Sequence, residues 1–132
     1  MHISWSQEMM IGHSLLDSDH ERIVSLINDL NDSISSNSNF GRLIDEYCKI
    51  IDCLGEHFTR EEQIMISTKY PDTDSHRKAH WYLFDQLTKM TYLLESNAPM
   101  AEQNIIIFLN EWFFQHVVIS DKMLAVHLLG QQ

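Results

Sequence analysis

Imidazole and carboxylate groups recur at helical spacing in this sequence, and together they could coordinate metal ions. His57 and Glu61 are four residues apart, as are His76 and His80, so each pair occupies one face of a helix. Residues of the same types occur in the other amphipathic segments. The candidate metal ligands are His20, His57, Glu61, His76, His80, His116 and Asp121.

These candidate ligands stand in the apolar stripes of their segments, where polar groups need partners. His20 precedes Ile23 and Ile27 in steps of three or four residues, and Leu54 precedes His57 by the same step. An unpaired charge in a dry core costs several kcal/mol. Metal coordination satisfies all the side chains at once, as in other metal sites built inside helical bundles.

His116 and Asp121 have an irregular separation, since five residues are off-register for a straight α-helix. Two interpretations remain open. Either the helix is locally loosened into a π-helical turn, as is frequent at functional sites, or the two side chains reach different metal ions.

The ligand set favours iron over zinc. It combines imidazole and carboxylate groups without a thiolate, which suits iron, whereas four ligands fill a zinc site. Seven ligands suit two metal ions with both carboxylates bridging. Two octahedral ions offer twelve positions, and five nitrogens, four carboxylate oxygens and a bridging hydroxide counted twice fill eleven. One position stays open for a small molecule.

The elements that must position these residues are four amphipathic helices. With 4 glycines and 2 prolines, the long periodic segments are separated only by short polar breaks. This pattern predicts an all-α fold, an up-down-up-down four-helix bundle with an N-terminal arm. We expect a single domain over residues 1–132, with the arm at 1–16. The helices are expected to start near Asp17 or Ser18, to span about 40–67 and about 75–95, and to start near Met100.

Charge and composition disfavour several classes of partner. The chain has 19 acidic and 9 basic residues, a formal net charge of −10 and no cluster of Lys and Arg, which disfavours nucleic acids and anionic membrane surfaces. No apolar run reaches about 18 residues, so no membrane span is expected. The opening residues MHISWSQEMM lack the features of a signal peptide, so a cytoplasmic location is the expectation.

Several strings of residues resemble the bacterial hemerythrin family along nearly the whole chain. They are Trp5, Ile11–Gly12 and Asp17-x-x-His20 near the start, HFTREEQIM (57–65), YP (70–71) and HRKAH (76–80) in the centre, and WFFQHVVISDK (112–122) in the fourth helix. In combination these motifs are highly specific. The departures are mild: Asp19 stands where Glu or Gln is expected, and Ile23 where Leu is frequent.

The resemblance implies a non-haem di-iron centre with a hydroxo or oxo bridge that binds dioxygen reversibly. It assigns His76, His80 and His116 to one iron and His20 and His57 to the second, with Glu61 and Asp121 as bridges. The iron with two histidines would carry the open position. The resemblance also implies an apolar dioxygen pocket formed by Ile23, Trp112, Phe113 and Val117.

The resemblance further implies a protein that carries, stores or delivers dioxygen, and not an enzyme. Two alternatives stay open: a sensor of oxygen, redox state or nitric oxide, and a di-iron enzyme that removes peroxide or nitric oxide. Enzymatic di-iron bundles use Glu-x-x-His pairs, and this sequence has none. The sequence does not identify a protein partner. Glu62 is expected to face solvent, and His2, His13 and His127 to be surface or packing residues.

Overall fold

Four helical rods joined by short loops form the protein in the computed structural model, which describes residues 3–131. The first three rods are α1 (Ser14–Ser35), α2 (Phe40–Ser67) and α3 (Thr73–Glu95). The fourth rod is α4 (Ala101–Phe113), a π-helical segment (Phe114–Asp121) and α5 (Lys122–Leu129), which follow one another without a break. Among residues 3–131, no helix is long and apolar enough to cross a membrane.

The rods pack as a square, with α1 and α3 each in contact with both α2 and α4. The loops between them contain only four or five residues. Such short connections place successive helices antiparallel. The predicted all-α, up-down-up-down four-helix bundle is therefore confirmed.

The helix boundaries agree closely with the prediction except at two starts. Helix α1 begins at Ser14, before the predicted Asp17 or Ser18, because His13 acts as its N-cap and accepts a hydrogen bond from the backbone N–H of Leu16. Helix α3 begins at Thr73, two residues before the predicted start. An imidazole N-cap is uncommon, so the sequence pattern did not indicate it.

The first three rods end in the same way, with one residue in the left-handed conformation. These residues are Asn37, Lys69 and Asn97, with φ of 54°, 56° and 56°. After each, a backbone N–H reaches back five residues to a carbonyl of the last turn, at 2.9 to 3.0 Å. This is the Schellman arrangement, which ends a helix sharply and starts a tight reversal.

The N-terminal arm is fastened to α1 by hydrogen bonds. The side chain of Asn28 pairs with the backbone of Ile3 in both directions, at 2.8 and 2.9 Å. The carboxylate of Asp17 accepts from the backbone N–H groups of Ile11 and Gly12 at 2.7 and 3.1 Å. The turn needs Gly12, whose φ is +83°.

The core consists of two separate apolar clusters, and the polar residues lie between them. In α2, Phe58 belongs to the larger cluster and Met65 to the smaller one. In the fourth rod, Val117 belongs to the larger cluster and Leu124 to the smaller one. The chain therefore leaves a buried layer across all four rods where polar side chains can meet.

Candidate metal centre

All seven predicted ligands meet in this buried layer, and they form two overlapping groups. One group contains Glu61, His76, His80 and His116, and the other contains His20, His57, Glu61 and Asp121. In each group, one potential ligand atom per residue lies within 4.8 Å of the others. Every rod contributes at least one side chain, so the site exists only in the folded bundle.

The π-helical segment brings His116 and Asp121 to the same face of the fourth rod. Both residues lie within Phe114–Asp121. Because a π-helix pairs residues five apart, side chains with that separation stand one turn above each other. Of the two interpretations left open by the sequence, local loosening of the helix is the one observed, and Asp121 contacts histidines of both groups.

Glu61 divides its two carboxylate oxygens between the groups. Its Oε1 contacts His76 and lies 3.2 Å from Nε2 of His80 and 3.7 Å from Nε2 of His116. Its Oε2 lies 3.0 Å from Nε2 of His57. A carboxylate with one oxygen in each group has the geometry of a bridge between two cations.

Asp121 also divides its two carboxylate oxygens between the groups. Its Oδ1 lies 3.0 Å from Nε2 of His76 and 3.2 Å from Nε2 of His116. Its Oδ2 lies 2.9 Å from Nε2 of His20. The two carboxylates therefore span the same pair of positions.

The distances between imidazoles match those between neighbouring ligands of one metal ion. An imidazole nitrogen binds a transition metal at about 2.1 Å, so two adjacent ligand atoms lie about 3.0 Å apart. The Nε2 atoms of His20 and His57 are 3.2 Å apart, and those of His80 and His116 are 3.1 Å apart. Each pair converges on a common point.

Buried oxygens without hydrogen bonds give an independent test of whether cations fit. Oε2 of Glu61 and both oxygens of Asp121 are buried and have no hydrogen-bond partner, although imidazole nitrogens lie 2.9 to 3.2 Å from them. The nitrogen–oxygen distances are those of hydrogen bonds, but the angles are not. Lone pairs that converge without pairing are costly in a core, and two cations would satisfy them.

Asp19 and Arg60 anchor the imidazole of His57 from behind. The Nδ1–H of His57 donates to Oδ2 of Asp19 over 3.0 Å. Arg60 donates to the same carboxylate at 2.6 and 2.9 Å. A hydrogen bond at Nδ1 directs Nε2 at the centre and fixes the tautomer. In the sequence, Asp19 stands out only as a departure from the family pattern.

Glu62 anchors the imidazole of His80 from behind, as Asp19 anchors that of His57. This contact corrects the expectation that Glu62 faces solvent. Its Oε2 accepts from Nδ1–H of His80 over 2.9 Å, and Arg77 lies 3.2 Å from its other oxygen. Because the adjacent Glu61 points into the core, helical spacing predicts that Glu62 faces elsewhere, toward solvent. The side chain of Glu62 instead reaches sideways to α3, which helical spacing alone does not reveal.

Aromatic rings stack on two of the imidazoles. Phe58 lies on His80 with ring centres 3.7 Å apart and an interplanar angle of 9°. Trp112 lies on His116 at 5.0 Å and 14°. These rings restrict the rotation of both imidazoles. The spacing of residues in the sequence does not indicate this contact of Phe58.

The residues predicted to line a dioxygen pocket are all in or against the larger apolar cluster. Ile23, Phe113 and Val117 are buried in it, and Trp112 packs against it. The ring of Phe113 lies edge-on to His20, with ring centres 6.4 Å apart. An apolar side chain therefore borders the two-histidine group at His20, while Trp112 contacts His116 of the three-histidine group.

Mutual stabilisation of charges dominates the electrostatics of the centre. Burial by itself would lower the pKa of the imidazoles, but the carboxylates beside them raise the pKa of His57 and His76 to about 9 and that of His116 to about 10. Burial would raise the pKa of Glu61 and Asp121, but the imidazoles hold both below their usual range. The metal-free centre thus binds protons where metal ions would bind.

The remaining histidines lie away from the centre. His13 caps α1, and His127 packs on Tyr70 and contacts Thr68 at 2.9 Å. Both agree with the expected packing roles. His2 lies outside the described residues.

Comparison with known proteins agrees with this arrangement. The family model described as hemerythrin HHE cation binding domain matches residues 12–127. Myohemerythrin of Theromyzon tessulatum is 31% identical over 117 residues, covering 89% of this chain and 86% of the relative. Bacteriohemerythrin of Stenotrophomonas maltophilia is 24% identical, covering 92% of this chain and 78% of the relative. That of Ralstonia nicotianae is also 24% identical, with coverages of 96% and 88%.

Proposed function

The chain belongs to the hemerythrin family, whose domain binds a di-iron centre, and from that premise we propose that it binds dioxygen reversibly in order to carry, store or deliver it. In this proposal, His76, His80 and His116 would hold one iron, and His20 and His57 would hold the other. Glu61 and Asp121 would be shared by both ions. When bound, the two ferrous ions supply an open coordination position and two electrons that dioxygen can borrow and return.

The bridging placement of the two carboxylates is the observation that carries the proposal. Each puts one oxygen in each ligand group. The chain then supplies three nitrogens to one ion and two to the other, so the two positions are unequal. A small ligand would be directed to the side with fewer histidines, next to Phe113.

The chain's own residues would keep the reaction reversible by excluding water. His20, Glu61 and Asp121 have fully buried side chains, and Ile23, Phe113 and Val117 are buried in the larger apolar cluster. A dry apolar boundary would keep stray protons and water out of the centre. The identity of residue 23 as Ile affects the shape of this boundary.

A cycle of oxygenation and deoxygenation tests the proposal. The protein is given two equivalents of Fe(II) without air, and its visible spectrum is recorded before air, after air and after removal of air. We expect an absorption band that appears with dioxygen, fades on its removal and returns through repeated cycles. A band that converts irreversibly to a diferric spectrum in the first cycle would contradict reversible carriage and favour the redox enzyme or sensor.

A role without catalysis is the simpler proposal for this chain. Hemerythrins are typically non-enzymatic binders of oxygen. Five histidines and two carboxylates supply little negative charge for stabilising high-valent iron, and the sequence has no Glu-x-x-His pair. The single domain over residues 1–132 and its cytoplasmic location stay predictions.

A further inference from the structure

A surface groove reaches one of the proposed iron ligands. It lies between the start of α3 and the fourth rod, has a volume of about 130 Å³, and has His76 in its wall. Asp72 and Ser75 are exposed at its rim, and Ser120 comes from the π-helical segment. Four other surface cavities of residues 3–131 have none of the seven ligands in their lining.

The three-histidine group, which contains His76, is also less deeply buried than the two-histidine group. The side chains of His76 and His116, both in the three-histidine group, are 4% and 3% exposed, whereas those of His20, Glu61 and Asp121 are fully buried. The two-histidine group is therefore the more deeply buried of the two. The three-histidine group approaches solvent at His76, in the first turn of α3.

We propose that this groove, which we call the His76 groove, is the route by which ferrous ions pass between solvent and the centre. The proposal rests on the di-iron site of the preceding section and concerns how that site is filled and emptied. Dioxygen is small and apolar and can cross packed side chains when they move. A hydrated cation cannot, so it needs a polar route of its own.

The size and lining of the groove suit stepwise removal of water from the ion. Water occupies about 30 Å³ per molecule in the liquid, so 130 Å³ accommodates an ion that has lost part of its hydration shell. The hydroxyls of Ser75 and Ser120 and the carboxylate of Asp72 can replace the lost waters. The imidazole of His76 is then the first strong ligand that the ion meets.

Negative charge lies at the rim of the groove, where the carboxylate of Asp72 is exposed. A carboxylate at the entrance attracts cations and increases their rate of entry at low ionic strength.

Two substitutions and two matched controls test the route through kinetics alone. Ala79→Leu adds bulk to the groove wall, and Thr88→Leu places the same leucine side chain at an exposed position of α3 outside it. Asp72→Asn removes the charge at the rim, and Asp74→Asn removes a charge from the first turn of the same helix outside the groove lining. The measurements, made without air, are the uptake rate of Fe(II) by apoprotein and its loss rate to excess coloured chelator.

We expect Ala79→Leu to slow uptake and loss several-fold and by similar factors, because a narrower route raises one barrier in both directions. Asp72→Asn should slow uptake several-fold at low salt, with little difference at high salt. Both controls should match the parent. All five proteins should bind two irons at equilibrium.

Uptake and loss rates of Ala79→Leu equal to those of the parent, with two irons bound, would overturn the route and leave the di-iron site intact. Equal slowing by Asp74→Asn and Asp72→Asn would also count against it. If the parent itself binds fewer than two irons, the di-iron site fails, and the route fails with it.

Discussion

Asp19 links a proposed iron ligand to the outside of the bundle. It accepts from His57 Nδ1 and is held by two hydrogen bonds from Arg60, which keep the pKa of its carboxyl at about 2 despite burial. The negative charge strengthens the imidazole as a donor to metal. A neighbour behind a ligand thus acts on the metal without touching it.

Asp19→Asn should weaken iron binding while preserving the fold. Losing such an outer partner typically lowers metal affinity by about 10- to 100-fold, and we expect the loss to concern mainly the ion bound by His20 and His57. Competition with a chelator of known affinity measures it. Glu56→Gln removes an exposed charge of α2 and should leave the affinity unchanged. An affinity of Asp19→Asn equal to the parent's would contradict the anchoring role.

At the residue scale, the sequence indicates the candidate ligands better than the side chains that support them. The seven candidate ligands share the core-facing register of their helices, which is visible in the spacing. Asp19 and Glu62 do not share this register, because each carboxylate contacts an imidazole on another helix. Such contacts depend on the distance and rotation between helices, and neither is encoded in the periodicity of one segment.

Among the elements that contribute candidate ligands, the π-helical segment is the one that departs from α-helical geometry. A π-helix has poorer packing than an α-helix and occurs mostly at functional sites. Here it brings two ligands five residues apart into one layer. The irregular spacing of His116 and Asp121 indicated this feature in the sequence, but its extent over Phe114–Asp121 was not predictable.

A glycine substituted at a left-handed helix end and a glycine substituted in a helix interior should change the free energy of unfolding in opposite directions. Lys69 has φ of 56°, where a side chain is strained and glycine is not. We expect Lys69→Gly to raise the free energy of unfolding by about 0.5–1 kcal/mol. Lys78→Gly in the interior of α3 should lower it by about 1 kcal/mol. Denaturant unfolding of both variants gives the values, and destabilisation by Lys69→Gly would contradict the C-cap assignment.

For the molecule as a whole, metal binding and folding are coupled. The layer between the two apolar clusters is filled by charged and imidazole groups from all four rods. Without metal, those groups depend on protons for compensation, and with metal they depend on the ions. The fold class followed from the spacing of apolar residues alone, but this division of the core into two clusters required the structure.

The metal-free protein should lose stability as the pH rises. The pKa of His57 and His76 is about 9 and that of His116 about 10 in the folded chain, against 6.5 for an ordinary histidine. Groups with a raised pKa stabilise the fold fully below pH 6.5, and this contribution is lost as the pH rises through 9 to 10. Urea unfolding of apoprotein should show the decline. Iron-loaded protein, whose imidazoles carry metal instead, should not share it, and a flat profile for apoprotein would contradict the proton-bound centre.

The most direct measurement is the position of iron in crystals of the loaded protein, located by anomalous scattering at the iron edge. The account predicts two peaks per chain. One lies among Glu61, His76, His80 and His116, and the other among His20, His57, Glu61 and Asp121. A single peak, or peaks away from these seven side chains, would contradict it.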